Sequence, residues 1–167
     1  MKEIKLTRNM VALVDDEDFD FLNQWKWQAG KSKESVTYYA SRTERGNELQ
    51  KPVSIKMHRL IMKTPDNMEV DHIDHNGLNN QKSNLRNCTH SQNHMNKRPH
   101  GRSKYLGVSW ASDRNKWIVY IQRRVKGSPY ERIQLYREQF DSEIDAALAY
   151  NKKASELFGE FAHLNII

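Results

Sequence analysis

The chain has 167 residues, with 27 Lys and Arg against 21 Asp and Glu, and a formal net charge of +6. Its one cysteine, Cys88, excludes an intrachain disulfide and a Cys-x-x-Cys zinc knuckle. No run of about 18 apolar residues offers a membrane span, and the opening MKEIKLTRNM lacks the apolar core of a secretory signal. A cytoplasmic location and a polyanionic partner are therefore expected, with one domain or two small ones.

Residues 1–57 read as a small β-rich region around one short helix. Val11–Val14 is β-prone. Asp15 or Asp16 is placed to cap a helix that carries Phe19 and Leu22 on one face. The acidic run Asp15 to Asp18 with Asp20 caps that helix or repels a polyanion from the wrong face. Trp25 and Trp27 alternate like a half-buried strand, and Val36–Tyr39 is expected to pair with Val53–Met57 around an Arg45-Gly46-Asn47 turn. This region holds no catalytic constellation, although Arg42, Arg45 and Lys51 offer contacts to an anionic polymer.

Residues 58–97 carry the chemistry. His58–Met62 makes a helical turn that Pro65 ends, Val70 leads into a strand, and Asn76-Gly77 signals a tight turn. Thr89 or Ser91 starts a helix. Within EVDHIDHNGLNNQKSNLRNCTHSQNHMNK, Glu69 to Lys97, the pair Asp71-His72 is followed by Asn84 and then Asn93. A carboxylate, an imidazole and two carboxamides thus fall in one hairpin plus helix. Metal-dependent phosphodiester cleavage uses these groups: an anionic oxygen holds a hard cation, an imidazole takes a proton from water, and amides fix the geometry.

In residue type, order and spacing, the stretch from about 52 to 97 resembles the HNH nucleases, in the branch found in phage and intron homing endonucleases. The fold implied is the ββα-metal hairpin and helix. The resemblance implies that Asp71 and Asn93 hold one divalent cation, Mg²⁺ or alternatively Mn²⁺, and that His72 is the general base. Asn84 would orient the imidazole and brace the hairpin. The implied substrate is double-stranded DNA, cut to 5′-phosphate and 3′-hydroxyl ends inside a bacterial host by a phage- or mobile-element-encoded protein. His75 occupies a turn position where such sequences often carry Gly. His94 is the alternative ligand if the helix register differs by one, and His58 is a candidate to approach the scissile phosphate. A structural zinc built from the clustered histidines lacks the usual ligand set.

KRPHGRS reads as a linker, bounded here as 98–103, before a second unit at 104–167. Its strands are Leu106–Trp110, Lys116–Arg123 and a third around Arg132–Tyr136, with turns at 111–115 and 126–129. Alternation puts Trp117, Val119 and Ile121 on one face and Tyr120, Gln122 and Arg124 on the other. Arg132, Gln134 and Tyr136 join the second group, so Arg, Gln and Tyr line one sheet face, able to contact phosphates and base edges. A helix with Ser142 as N-cap and a stripe of Ala146, Tyr150, Ala154 and Leu157 covers the apolar face and ends at Gly159. From Lys97 to Phe140 there are 11 Lys and Arg against three acids. The unit resembles an AP2 DNA-binding domain in Tyr105–Val108, Lys116-Trp117, Phe140–Ser142, Ala146–Tyr150 and Phe158–Asn165. Arg137-Glu138-Gln139 departs from the Leu-Gly pair usual there. The resemblance implies a three-stranded sheet seated in the major groove.

The expectation is an α+β protein of three parts: a β-rich region, a ββα-metal nuclease core and an AP2-like reader. It would act as a sequence-directed, divalent-metal-dependent DNA endonuclease of homing type, with no membrane and no obligate protein partner. The alternatives are a DNA-binding regulator with a decayed nuclease core and, below it, an RNA-binding or structural module.

Overall fold

Ile4 alternates with charged neighbours and meets Ala12 and Val14 across a hairpin, and that apolar face seeds the first core. The computed structural model describes residues 1–33, 35–45, 51–93, 102–125 and 131–167. Strand β1 (Lys2–Lys5) pairs antiparallel with β2 (Val11–Val14). Helix α1 (Asp16–Leu22) follows and buries Leu22. A second, three-stranded antiparallel sheet runs β3 (Gln28–Gly30), β4 (Tyr39–Glu44) and β5 (Val53–Lys56). Helix α2 (Met57–Ile61) leads to the hairpin β6 (Glu69–His72) and β7 (Leu85–Cys88), then α3 (His90–Asn93).

Several sequence expectations shift in extent. Tyr39 opens β4, so residues 36–38 lie before the strand, and β5 pairs with 41–44 instead. The Gly46-Asn47 part of the expected turn lies outside the described residues. Trp25 and Trp27 precede β3; Trp27 is buried, bridges to Leu6 and donates its indole N–H to the Leu22 carbonyl at 2.8 Å. Arg42 stacks over Trp25, 4.6 Å from the ring centroid, with its outer nitrogen near Glu44.

The acidic run acts as a brace. Asp15 stands at the N-cap of α1 but makes no side-chain cap bond. Its carboxylate instead accepts from the Lys82 backbone N–H (2.7 Å) and from Gln81 Nε2 (3.3 Å), while Lys82 Nζ reaches Glu17 and Asp18.

The chain divides into two compact units, Met1–Asn93 and His94–Ile167. In the first, one apolar cluster runs from Ile4 through Ala40 to Leu85, so residues 1–57 and the β6–β7 hairpin share a core. The second unit has its own core. Its sheet is β8 (Val108–Ala111), β9 (Lys116–Arg124) and β10 (Arg132–Phe140), antiparallel with β9 central. Helix α4 (Glu143–Phe158) starts at Ser142, whose Oγ accepts from Asp145 N–H at 3.3 Å, and ends at Gly159. Ala146, Ala147, Tyr150 and Ala154 are buried against Val108, Val119 and Ile121. Leu157 is 39% exposed and leaves the expected stripe; Phe158 packs on the core in its place. Gly107 has φ +72, and a Cβ there would lie 2.3 Å from the Tyr150 ring, so both backbone and space demand glycine. The 126–129 turn and residues 98–101 of the linker lie outside the described residues.

Asn165 closes this unit. Its carboxamide accepts from Leu106 N–H (2.6 Å) and donates to the Leu106 carbonyl (3.2 Å). Its backbone pairs with the carboxamide of Asn151. Asn165→Ala leaves a strand-entry amide and carbonyl unmatched, which costs about 1–3 kcal/mol. Thermal unfolding followed by hydrogen exchange should show residues 104–167 weakened and residues 1–93 unchanged.

Candidate active site

Strand alternation sends Glu69 and Asp71 to one face of β6 and Val70 and His72 to the other. Arg86 stands opposite Asp71 in the hairpin register. Its guanidinium donates from Nε (2.8 Å) and Nη2 (2.6 Å) to Asp71 Oδ2. Asp71 is 4% exposed, so this is a buried ion pair.

Glu69 anchors the helix that carries Asn93. Its Oε2 accepts from Asn93 Nδ2 at 2.7 Å, and its Oε1 lies 2.7 Å from His90 Nδ1. A four-residue helix does not sustain itself in isolation. Thr89 and Gln92 cap it reciprocally, Gln92 N–H donating to Thr89 Oγ1 (3.3 Å) and Thr89 N–H to Gln92 Oε1 (2.8 Å). With the Asn93 nitrogen committed to a carboxylate, Oδ1 is its acceptor for any further partner. His94 lies outside the described residues.

His72 is 6% exposed at the end of β6. Two rings stand edge-to-face with it: His58 of α2 at 5.1 Å and Tyr39 of β4 at 5.7 Å between centroids. Burial lowers the His72 pKa; the fully buried Asn80 carboxamide, then Asp74 and Asp71, oppose that without reversing it. The imidazole is therefore neutral at neutral pH. His58 is pushed further, down to about 3, by burial first and then by His72, Lys56 and Arg59.

Asn84 bonds to the connection that follows His72. Its Oδ1 accepts from Asp74 N–H (3.0 Å), and its Nδ2 donates to Asp74 Oδ1 and to the Asn79 carbonyl (both 2.9 Å). It braces the connection that follows His72 but makes no hydrogen bond to the imidazole. The carboxamide beside the imidazole is Asn80. Burial works against the Asp74 carboxylate, but donors from Asn79, Asn76 and Asn84 outweigh it and hold its pKa below the ordinary range. His75 has φ +60, the left-handed conformation that glycine adopts freely, which accounts for the glycine common at this turn position.

Asp71 and, through Glu69, Asn93 thus lie on one face of β6, His72 lies on the other, and Asn84 braces the connection that follows. A carboxylate and a carboxamide oxygen are hard donors of the kind Mg²⁺ accepts alongside water. Among the described residues no three His, Cys, Asp or Glu side chains are grouped to hold a metal. Arg86 was missed in the sequence, because its place opposite Asp71 follows only from the hairpin register. Tyr39 and Asn80 carry no local signal, because their proximity to His72 arises only from tertiary packing.

The sheet of the second unit corrects one member of the expected face. Gln134 pairs with Gln122, but Tyr136 pairs with Ile121, so a bulge falls at Leu135. The extra residue turns Tyr136 to the helix side, where Lys153 Nζ lies 5.9 Å from its ring centroid and its hydroxyl meets Glu138. Arg137 takes the outer position opposite Tyr120, and Gln139 lies opposite Ile118. The outer face thus presents Tyr120, Gln122, Arg132, Gln134, Arg137 and Gln139, with Gln122 Nε2 donating to Tyr120 Oη at 2.6 Å. Arg124 pairs with Arg132 in the backbone, and its side chain lies outside the described residues. Trp117 packs at the core edge, 5.1 Å from Trp110.

A family model described as HNH endonuclease matches residues 57–95, the span of α2, the β6–β7 hairpin and α3. Over 162 residues the chain is 36% identical to an uncharacterized HNH endonuclease of Acanthamoeba polyphaga mimivirus, a match covering 93% of this chain and 75% of that relative. No solved structure matches the chain. Among the described residues, no helix is long and apolar enough to cross a membrane.

The buried imidazoles make stability pH-dependent. His58 ionises near the ordinary 6.5 when unfolded and near 3 when folded, so between those values the unfolded chain holds a proton that the folded chain lacks. Stability therefore falls with falling pH across that window, by about 1.4 kcal/mol per pH unit at its steepest. Urea unfolding at pH 7 and pH 5 should show this loss, and His58→Phe should reduce it by about 2 kcal/mol.

Proposed function

Because the chain belongs to the HNH endonuclease family, we propose that it is a divalent-metal-dependent endonuclease that hydrolyses phosphodiester bonds of double-stranded DNA at chosen sites. The observation that carries this reading is a neutral, buried imidazole at His72, adjoining the Asp71 carboxylate on a strand that also anchors Asn93.

His72 is the general base. Its neutral ring accepts a proton from water as the water oxygen bonds to phosphorus and the bond to the 3′ oxygen breaks. The products carry a 5′-phosphate and a 3′-hydroxyl. Asp71 through its carboxylate and Asn93 through Oδ1 would hold the cation, Mg²⁺ or Mn²⁺. When bound, that ion supplies positive charge against the charge growing on the phosphate and the departing oxygen. Arg86 keeps the Asp71 side chain fixed on the hairpin. Asn84 and Asp74 hold the turn, and Asn80 adjoins the base.

Site choice falls to the second unit, read as an AP2-like reader whose outer sheet face enters the major groove. The excess of basic residues from Lys97 to Phe140 supports this. Homing activity and a viral or mobile-element origin belong to the same reading; the relative from a giant virus supports the latter.

Nicking of supercoiled plasmid tests the chemistry and separates it from a decayed nuclease. His72→Ala should lower the cleavage rate by about 10²–10⁴-fold with DNA affinity nearly unchanged. Turnover near wild type would remove the base assignment. At Asp71 the buried pair matters: Asp71→Ala removes the acceptor of two Arg86 hydrogen bonds and should cost about 3–5 kcal/mol. The double change Asp71→Ala with Arg86→Met should recover stability and still fail to cleave. Recovery of cleavage in that variant would exclude Asp71 as a ligand.

DNA affinity against salt tests the reader. Arg137→Ala should reduce the log–log slope by about 0.9, the effect of one phosphate contact. Tyr136→Ala should leave the slope unchanged and lower the stability of its unit. The reverse pattern would put Tyr136 on the DNA face.

A further inference from the structure

Two rings pack on the His72 imidazole, and one of them, Tyr39, lies outside the span that the family model matches. His58 stands 5.1 Å from it at an interplanar angle of 83°, Tyr39 stands 5.7 Å from it at 62°, and Tyr39 and His58 are 5.6 Å apart at 79°. Three rings therefore meet edge-to-face from β4, α2 and β6. The last side-chain torsion of a histidine is soft, with broad wells, so an imidazole with no neighbours turns readily. Here rotation would drive its edge into one ring or the other.

The backbone around Tyr39 is fitted to the same purpose. A Cβ at Gly77 would lie 2.6 Å from the Tyr39 ring and 2.4 Å from the Tyr38 carbonyl oxygen. Gly77 N–H donates to Thr37 Oγ1 at 3.0 Å. The connection that leaves His72 thus runs close against the residues entering β4 and leaves no room for a side chain beside the Tyr39 ring. His58 adds a further sign. Its Nδ1 is buried with no hydrogen-bond partner, a cost that an apolar side chain would not bear.

We propose that Tyr39, with His58 as the opposing jaw, is a positioning residue that locks the His72 imidazole in the orientation needed for proton transfer. The N-terminal β-rich region is then part of the catalytic apparatus. This rests on the reading of His72 as base, and it acts through ring shape, so the phenol hydroxyl is dispensable. Misplacement of a reacting group by about 1 Å is enough to lose on the order of 100-fold in rate.

The test uses the full-length protein with Tyr39→Ala, Tyr39→Leu and Tyr39→Phe. Leu fills much of the volume but lacks the flat ring, which guards against an Ala variant that fails to fold. Single-turnover cleavage should fall by roughly 10–100-fold in Ala and Leu, with Mn²⁺ binding by paramagnetic resonance and DNA affinity unchanged, and Phe should restore the rate. Ring-carbon NMR relaxation of His72 should report added mobility in Ala and Leu but not in Phe. Wild-type rate and ring order in Tyr39→Leu would overturn the proposal, as would failure of Phe to restore either. Parallel loss of metal or DNA binding in Leu would reduce Tyr39 to ordinary packing and overturn it too. If His72→Ala still cleaves, the base reading fails, and the relaxation data still judge the clamp independently.

Discussion

Leu13 exchanges two backbone hydrogen bonds with the segment that follows His72: its N–H donates to the Leu78 carbonyl at 2.8 Å, and its carbonyl accepts from Asn80 N–H at 2.7 Å. Much of the candidate site depends on this splice. It makes residues 78–80 an added partner of β2 and carries the buried Asn80 side chain to the imidazole. Two residues further along β2's exit, Asp15 grips Gln81 and Lys82, so the segment is held again before it enters β7. The long connection between the two hairpin strands therefore has little freedom, though only short pieces of it are regular structure. Its order is borrowed from the N-terminal hairpin.

This division of labour explains why the two parts of the first unit have such different sequences. The β6–β7–α3 stretch is dense in Asn, His and Asp, which bury poorly and contribute little apolar area. Its apolar contribution to the shared core includes Leu85, with Met57 and Ile61 from α2, against Ile4, Ala12, Val14, Leu22 and Trp27 from the N-terminal part. A polar catalytic segment of this kind is stable because neighbouring residues supply most of the hydrophobic driving force.

What could be read from sequence was what is local. Asp71, His72, Asn84 and Asn93 lie within one short stretch, and the cap of α3 is spelled out as Thr89-x-x-Gln92. Ser142 and Gly159 bound α4 for similarly local reasons. The failures are tertiary. Leu135 continues an unbroken alternation in the sequence, and only pairing with β9 reveals the bulge that swaps Tyr136 for Arg137. Leu157 fits the helical stripe but falls where α4 is ending, and Phe158 covers the core there instead. Tyr39 is far from His72 along the chain, and no periodicity links them. Asp15 looks like a helix cap because that is the commonest use of an aspartate there, but a backbone amide across the fold competes for it and wins.

Arg86 has a consequence for how the first unit carries a buried carboxylate. Many small metal-binding domains unfold when stripped of their ion, because the liganding charges then repel or lie uncompensated. Here the protein carries its own counter-cation against Asp71, with two guanidinium donors on one carboxylate oxygen. Charge at that point is balanced from within, so the buried Asp71 carboxylate does not rely on a bound cation for its compensation.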